Sequence, residues 1–318
     1  MNTNLAVVFT EYQLLQTEAI ISNYKLKNVV LLIHNKNGRI PEWLVDDSLF
    51  TEIIQLPVRE TSGFYKLSKE FIRYYSSVVT GLLKNRKINV LLGAQDENTV
   101  FAIVKYYAKP LEYWNIEDGS ANYLRANIRY KGQLLIKKTI FSFYGYPKLD
   151  IRYGHGLVKY TKSFRLYPEL SIKGKNAIYL GDLLSLYLTA KAERIRPKIP
   201  WINKYKQFDT LVVSELALNP DIENKKIDNA LYKFHPEDRP AFDSIVYIKE
   251  SIPLEFLPLL LKNIKTVRYQ VPSSSILNML VLNFDVKIQL DYLPPNKAFL
   301  FYTEGIKRKF SDRIEILQ

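Results

Sequence analysis

The strongest constraint on this chain lies in its first hundred residues, where short β-rich apolar runs alternate with longer segments of mixed polarity. LAVVFT (5–10), KNVVLLIH (27–34), TEIIQLP (51–57) and INVLLGA (88–94) are strand-like, while helical patterns end near residue 24, run from about 65 to 84 and cover 99–108. Strands that are apolar on both sides and separated by helices predict βαβ units and a parallel sheet covered on both faces. The order is looser over 125–205, with helices expected at 134–144 and 183–193. Pro197 and Pro200 cannot lie inside a helix, so 195–205 reads as a linker dividing 1–195 from 196–318. Beyond it, strands are expected at 208–216, 230–236, 242–248, 266–271 and 286–290, and helices at 253–263, 273–284 and 297–309. A length of 318 residues suits two such α/β lobes.

Composition narrows the class. Hydrophobic residues at 47% and charged residues at 24% belong to a folded globular protein. The absence of cysteine excludes disulfides and thiolate metal sites. No run reaches the roughly 18 apolar residues of a spanning helix, and the first residues lack the basic start of a secretory signal. The expectation is a cytoplasmic protein, with peripheral contact at the inner face of the plasma membrane. That contact is suggested by charge. Of the net +13, +10 falls within 125–175, where twelve lysines and arginines face only Asp150 and Glu169. Tyrosines interleave this segment, which suits an anionic partner such as a membrane leaflet or a nucleic acid.

Four short stretches carry candidate chemistry. Glu117-Asp118-Gly119 ends a βα unit; Asp-Gly is a common turn, but in open parallel sheets ligands gather beyond the carboxyl ends of strands. Lys233-Phe234-His235-Pro236 ends a strand and holds one of only three histidines. Glu255 opens a helix, where the dipole favours an acid and where a carboxylate can also grip a ribose diol. Ser273-Ser274-Ser275 follows Pro272 at the next helix start, suited to capping or to holding a phosphate. The chain has no glycine-rich phosphate loop, no dinucleotide fingerprint and no Asp-x-Asp pair.

Taken in order, E-D-G, then H-P, then P-x-E, then a double serine resembles the bacterial sialyltransferases of the GT-B fold. In length and N-terminal style the chain is most similar to glycosyltransferase family 52, the capsule and lipooligosaccharide sialyltransferases, with motifs shared by families 80 and 38. The resemblance implies two Rossmann-like lobes facing a central cleft: an acceptor-side lobe over 1–195, a CMP-sugar lobe over 196–318, and a C-terminal helix closing the fold. It implies Asp118 as general base, His235 with Pro236 at the CMP phosphate, Glu255 at the ribose, Ser273 and Ser274 at the phosphate, and Glu117, Gly119 and Lys233 flanking these motifs. Where the family pattern has Gly or Pro before the histidine, this chain has Phe234. For a base drawn from the second lobe, the candidates are Glu215 and Asp221.

The implied reaction is inverting transfer of sialic acid from CMP-sialic acid to a galactose-type hydroxyl of a capsular or lipooligosaccharide glycan, free or lipid-linked. It requires no cofactor and no metal, involves no nucleic acid and is compatible with a homodimer. The alternatives are a transferase using CMP-Kdo or another CMP-nonulosonate, and a non-catalytic basic protein that binds polyanions or membranes.

Overall fold

A computed structural model of the chain describes residues 2–35, 38–59, 68–94, 99–117, 128–146, 160–168, 177–216, 221–223, 226–234, 238, 242–271, 273, 275–282, 285–291 and 313–317, without the side chains of 128–134, 277 and 281. Residues 1–40 with 45–183 form one compact unit, and 41–44 with 184–318 form a second.

The first unit alternates β1 (Asn2–Val8), α1 (Glu11–Tyr24), β2 (Val29–Ile33), β3 (Glu52–Gln55), α2 (Lys69–Leu83), β4 (Lys87–Gly93), α3 (Thr99–Ala108), β5 (Glu112–Asn115), α4 (Ile128–Phe143), β6 (Lys162–Arg165) and β7 (Ala177–Tyr179). Its strands pair in parallel in the order β3-β2-β1-β4-β5-β6-β7. Strand β2 is buried at every residue and β1 and β4 from their fourth residue onward, the pattern of a parallel sheet covered on both faces. Helix α1 starts where Thr10 Oγ1 accepts from the Gln13 amide, and stops at Lys25, whose backbone is left-handed (φ 50°). Ser68 caps α2 in the same way through the Phe71 amide, which fixes a start a few residues later than the apolar period implied. Gly93 ends β4 because no larger residue fits. An added Cβ would lie 2.5 Å from a Phe101 ring carbon and 3.0 Å from the Val7 carbonyl oxygen.

The second unit carries β8 (Thr210–Ser214), β9 (Ala230–Phe234), α6 (Leu257–Leu260), β10 (Thr266–Tyr269), α7 (Ser275–Val281), β11 (Lys287–Leu290) and β12 (Ile314–Ile316), paired in parallel as β12-β11-β10-β8-β9. The division between units falls in the first turn of α5 (Gly181–Ile195). Of residues 195–205, expected as a linker, Ile195 ends α5 and the rest fold into two 3-10 turns, Arg196–Lys198 and Pro200–Tyr205, with Ile199, Ile202 and Tyr205 buried.

Two local expectations are corrected. Residues 242–248 are not a strand: the segment bends at Asp243 and Ser244, where Ser244 Oγ donates to Glu223, and touches β9 through a single bridge between Tyr232 and Tyr247. The helix over 253–263 shrinks to the 3-10 turn Leu254–Phe256 and α6, because Pro258 sits in the first turn of α6 and has no amide to continue an upstream helix. The closing helix at 297–309 lies outside the described residues. Strand β12, which adds to the sheet edge, was not foreseen.

Candidate functional site

The sheet of the second unit has the doubly wound order in which the connections leave two neighbouring strands in opposite directions. Counted along the chain its strands run 2-1-3-4-5, and the crevice forms beyond the carboxyl ends of the first and third, here β8 and β10. Strands β8 and β10 are hydrogen-bonded partners up to Val213↔Tyr269, with Gln270 N donating to Val213 O at 3.0 Å. The residues that leave these two ends are therefore the ones placed to meet a ligand.

Those beyond β10 lead into a polar cluster that is mostly buried. From β10 the chain reaches Ser273, which lies just before α7. Ser273 Oγ lies 2.7 Å from Ser275 Oγ and accepts from the Ser275 amide at 3.3 Å. Ser275 Oγ donates to the Tyr269 hydroxyl at 3.2 Å. Tyr269 is fully enclosed, and burial pushes its phenol well above the ordinary tyrosine range, with the nearby Glu255 charge adding to the shift. Glu255, in the turn before α6, is itself buried and accepts from Asn278 Nδ2 at 2.6 Å. Glu255 and Ser273 thus belong to one polar cluster built from Tyr269, the 254–256 turn and the first turn of α7. Asn278 Oδ1 in the cluster, and Ser214 Oγ at the end of β8, are buried with no hydrogen-bond partner among the described residues.

The other nominated residues of this unit are dispersed. Glu215 follows β8 and is half-buried, and Asp221 lies in an exposed turn. Lys233, on β9, donates to the Glu250 carbonyl at 3.1 Å. His235, Pro236 and Ser274 lie outside the described residues, as do Asp118 and Gly119 in the first unit. Phe234, which precedes His235, is the last β9 residue and pairs with Ser214. Asn278 and Tyr269 are not among the residues the sequence nominates, and Ser275 enters there only as part of the triple serine. The signal for Asn278 was a lone amide three residues after Ser275 in an otherwise apolar helix.

In the first unit, the described member of the E-D-G turn is Glu117, and it is an anchor. Its backbone N–H donates to Gln16 Oε1 at 3.1 Å and its carbonyl accepts from Gln16 Nε2 at 2.9 Å, so one α1 side chain clamps both sides of the residue. Its carboxylate accepts from the Leu166 amide beyond β6 at 2.8 Å. Next to it, buried Arg165 donates to the Asn115 side chain and to the Phe164 carbonyl. The backbone entering position 118 is therefore fixed from α1 and from β6 at the carboxyl ends of the strands. Gln16 had no signal in the sequence.

No family model matches the chain, and no curated protein matches it by sequence. Solved structures do resemble it in fold. The 2,6-sialyltransferase of a Vibrionaceae Photobacterium species, solved with CMP and lactose, has a TM-score of 0.53 at 10% identity, over 99% of this chain and 78% of that one. The spinosyn forosaminyltransferase gives 0.53 at 8% identity, over 100% of this chain and 86% of its own. The UDP-GlcNAc 2-epimerase of Neisseria meningitidis, bound to UDP-GlcNAc, gives 0.51 at 12%, over 98% and 92%. At these identities the likeness is one of fold: the chain is an α/β protein with the GT-B fold, its parallel sheets of seven and five strands each in a doubly wound order.

Proposed function

We propose that the chain is an inverting sialyltransferase that moves sialic acid from CMP-sialic acid to a galactose-type hydroxyl of a bacterial surface glycan. The observation that carries this reading is the polar cluster of buried Glu255, Asn278, Ser275 and Tyr269 with half-buried Ser273, at the switch point of the second unit. The order of the sequence motifs and the shared fold support it.

In this reading the ribose hydroxyls donate to Glu255, and the hydroxyls of Ser273 and Ser274 with His235 receive the phosphate. Asp118 takes the proton of the acceptor hydroxyl as its oxygen attacks the anomeric carbon. The bond from that carbon to the phosphate oxygen breaks through an oxocarbenium-like state, its electron pair leaves with CMP, and the centre inverts in one displacement. A protonated His235 neutralises the charge developing on the leaving phosphate. The leaving group is a single phosphate ester already stabilised by such groups, so the chemistry requires no bound metal.

The test is CMP release from a panel of CMP-sialic acid, CMP-Kdo and CMP-pseudaminate, with UDP-GlcNAc assayed in parallel for UDP release and epimerisation of its sugar, on wild type and Asp118→Asn. The reading predicts turnover of CMP-sialic acid, reduced about 10²–10⁴-fold in the variant, with CMP affinity retained. Preference for CMP-Kdo or CMP-pseudaminate would move the donor assignment, and epimerisation of UDP-GlcNAc would replace transfer altogether. Undiminished turnover by Asp118→Asn would pass the base role to Glu215 or Asp221. No turnover with any donor would leave a basic α/β protein without this activity.

A further inference from the structure

Helix α4 lies inside the basic segment, and its outer face is apolar. Phe141 is buried in the core of the first unit, and Ile140, Tyr144 and Tyr146 pack against that core, so the inner side of the helix is settled. On the other side Leu135 is 67% exposed, Ile136 61% and Phe143 87%. At about 100° per residue these three fall within an arc of roughly 100°, with Thr139 between them. Thr139 turns its hydroxyl back onto the Leu135 carbonyl at 3.0 Å, which satisfies it locally and leaves its methyl on the same stripe. Exposed Lys138 borders this arc. Single exposed apolar residues are ordinary, but three large ones on one stripe of one helix are not.

Charge selects what covers this face. From 119 to 149 the chain carries no acidic residue, while Arg125, Arg129, Lys131, Lys137, Lys138 and Lys148 fall in that span. A second copy of the chain would bring two such positive segments together. An anionic bilayer complements both features, taking the apolar stripe below the headgroups and the cations at their level. We propose that the Leu135–Ile136–Phe143 face of α4 is a peripheral membrane-docking surface specific for anionic lipid. Among the described residues no helix is long and apolar enough to cross a membrane, so contact through this face would be interfacial. The proposal does not depend on which reaction the chain performs.

The test is flotation of the full chain with vesicles of phosphatidylcholine, with and without phosphatidylglycerol, at low and high salt. The wild type should float with the anionic vesicles and be released by salt. Leu135→Ser/Phe143→Ser should lose at least tenfold in partition, and Lys138→Ser about fivefold, the factor for one lysine near an anionic surface. A Phe143→Trp variant should shift its fluorescence to the blue on adding anionic vesicles and hold still with phosphatidylcholine. Because all these positions are exposed, the variants should keep the wild-type melting temperature. Flotation unchanged by the double serine variant, equal flotation on phosphatidylcholine alone, or a solution dimer that Phe143→Ser dissociates would each overturn the proposal.

Discussion

Glu255→Gln separates the charge of the proposed donor-site carboxylate from its shape. Glutamine still accepts from Asn278 through its amide oxygen, where Glu255 now accepts at 2.6 Å, so the buried scaffold is kept. A hydrogen bond to a charged acceptor is worth about 1.5–3 kcal/mol and one to a neutral acceptor about 0.5–1.5 kcal/mol. A ribose diol gripped by the carboxylate makes two such bonds, so the charge accounts for about 2 kcal/mol, or roughly thirtyfold in CMP affinity. Stability should change far less, since removing a buried charge offsets the weaker bond to Asn278. Titration calorimetry with CMP and with its 2′,3′-dideoxy analogue, on wild type and variant, closes a thermodynamic cycle. The preference for CMP over the dideoxy analogue should be roughly thirtyfold greater in wild type than in Glu255→Gln. A variant that binds CMP within about twofold of wild type, or that loses as much affinity for the dideoxy analogue, would refute Glu255 as the ribose ligand.

Other expectations follow from single contacts. Gln16→Leu strips both clamps from the Glu117 backbone and should cost about 2–4 kcal/mol in thermal unfolding, with kcat falling while CMP affinity holds. Gly93→Ala forces a methyl against Phe101 and the Val7 carbonyl and should destabilise by about 1–3 kcal/mol, read as a lower Tm. His235→Ala should weaken CMP binding and turnover together, whereas Asp118→Asn affects turnover alone. Alkaline stability tests the burial of Tyr269. Its folded-state phenol lies above the ordinary 10.0 at which the unfolded chain titrates, so its contribution is complete below that pH. Above it, this contribution should fall by about 1.4 kcal/mol per pH unit, and Tyr269→Phe should flatten the decline in Tm.

Much of the architecture could be read in advance because parallel strands buried on both faces leave an unmistakable record. VVLLI in β2 and TLVVS in β8 can hardly be anything else once helical periods surround them. The misreadings arose where local pattern met a competing demand. Residues 242–248 hold a β-rich apolar run at 245–248, yet a bend at Ser244 limits them to one bridge with β9. The run at 253–263 has helical apolarity, but Pro258 interrupts it. Glu255 and Ser273 of the candidate cluster could be nominated from the sequence because acids and serines near helix starts have known chemistry. Gln16 was not, because its partner Glu117 lies 101 residues away and nothing in either neighbourhood points to the other. Tyr269 looked like any strand aromatic until Ser275 and Glu255 were seen around it.

The most direct measurement of the central claim is a crystal structure of the chain with CMP. The account predicts the nucleotide beyond the carboxyl ends of β8 and β10, its ribose hydroxyls on Glu255 and its phosphate at Ser273. CMP found elsewhere with those groups untouched, or no CMP bound under conditions where a uridine nucleotide occupies that crevice, would contradict it.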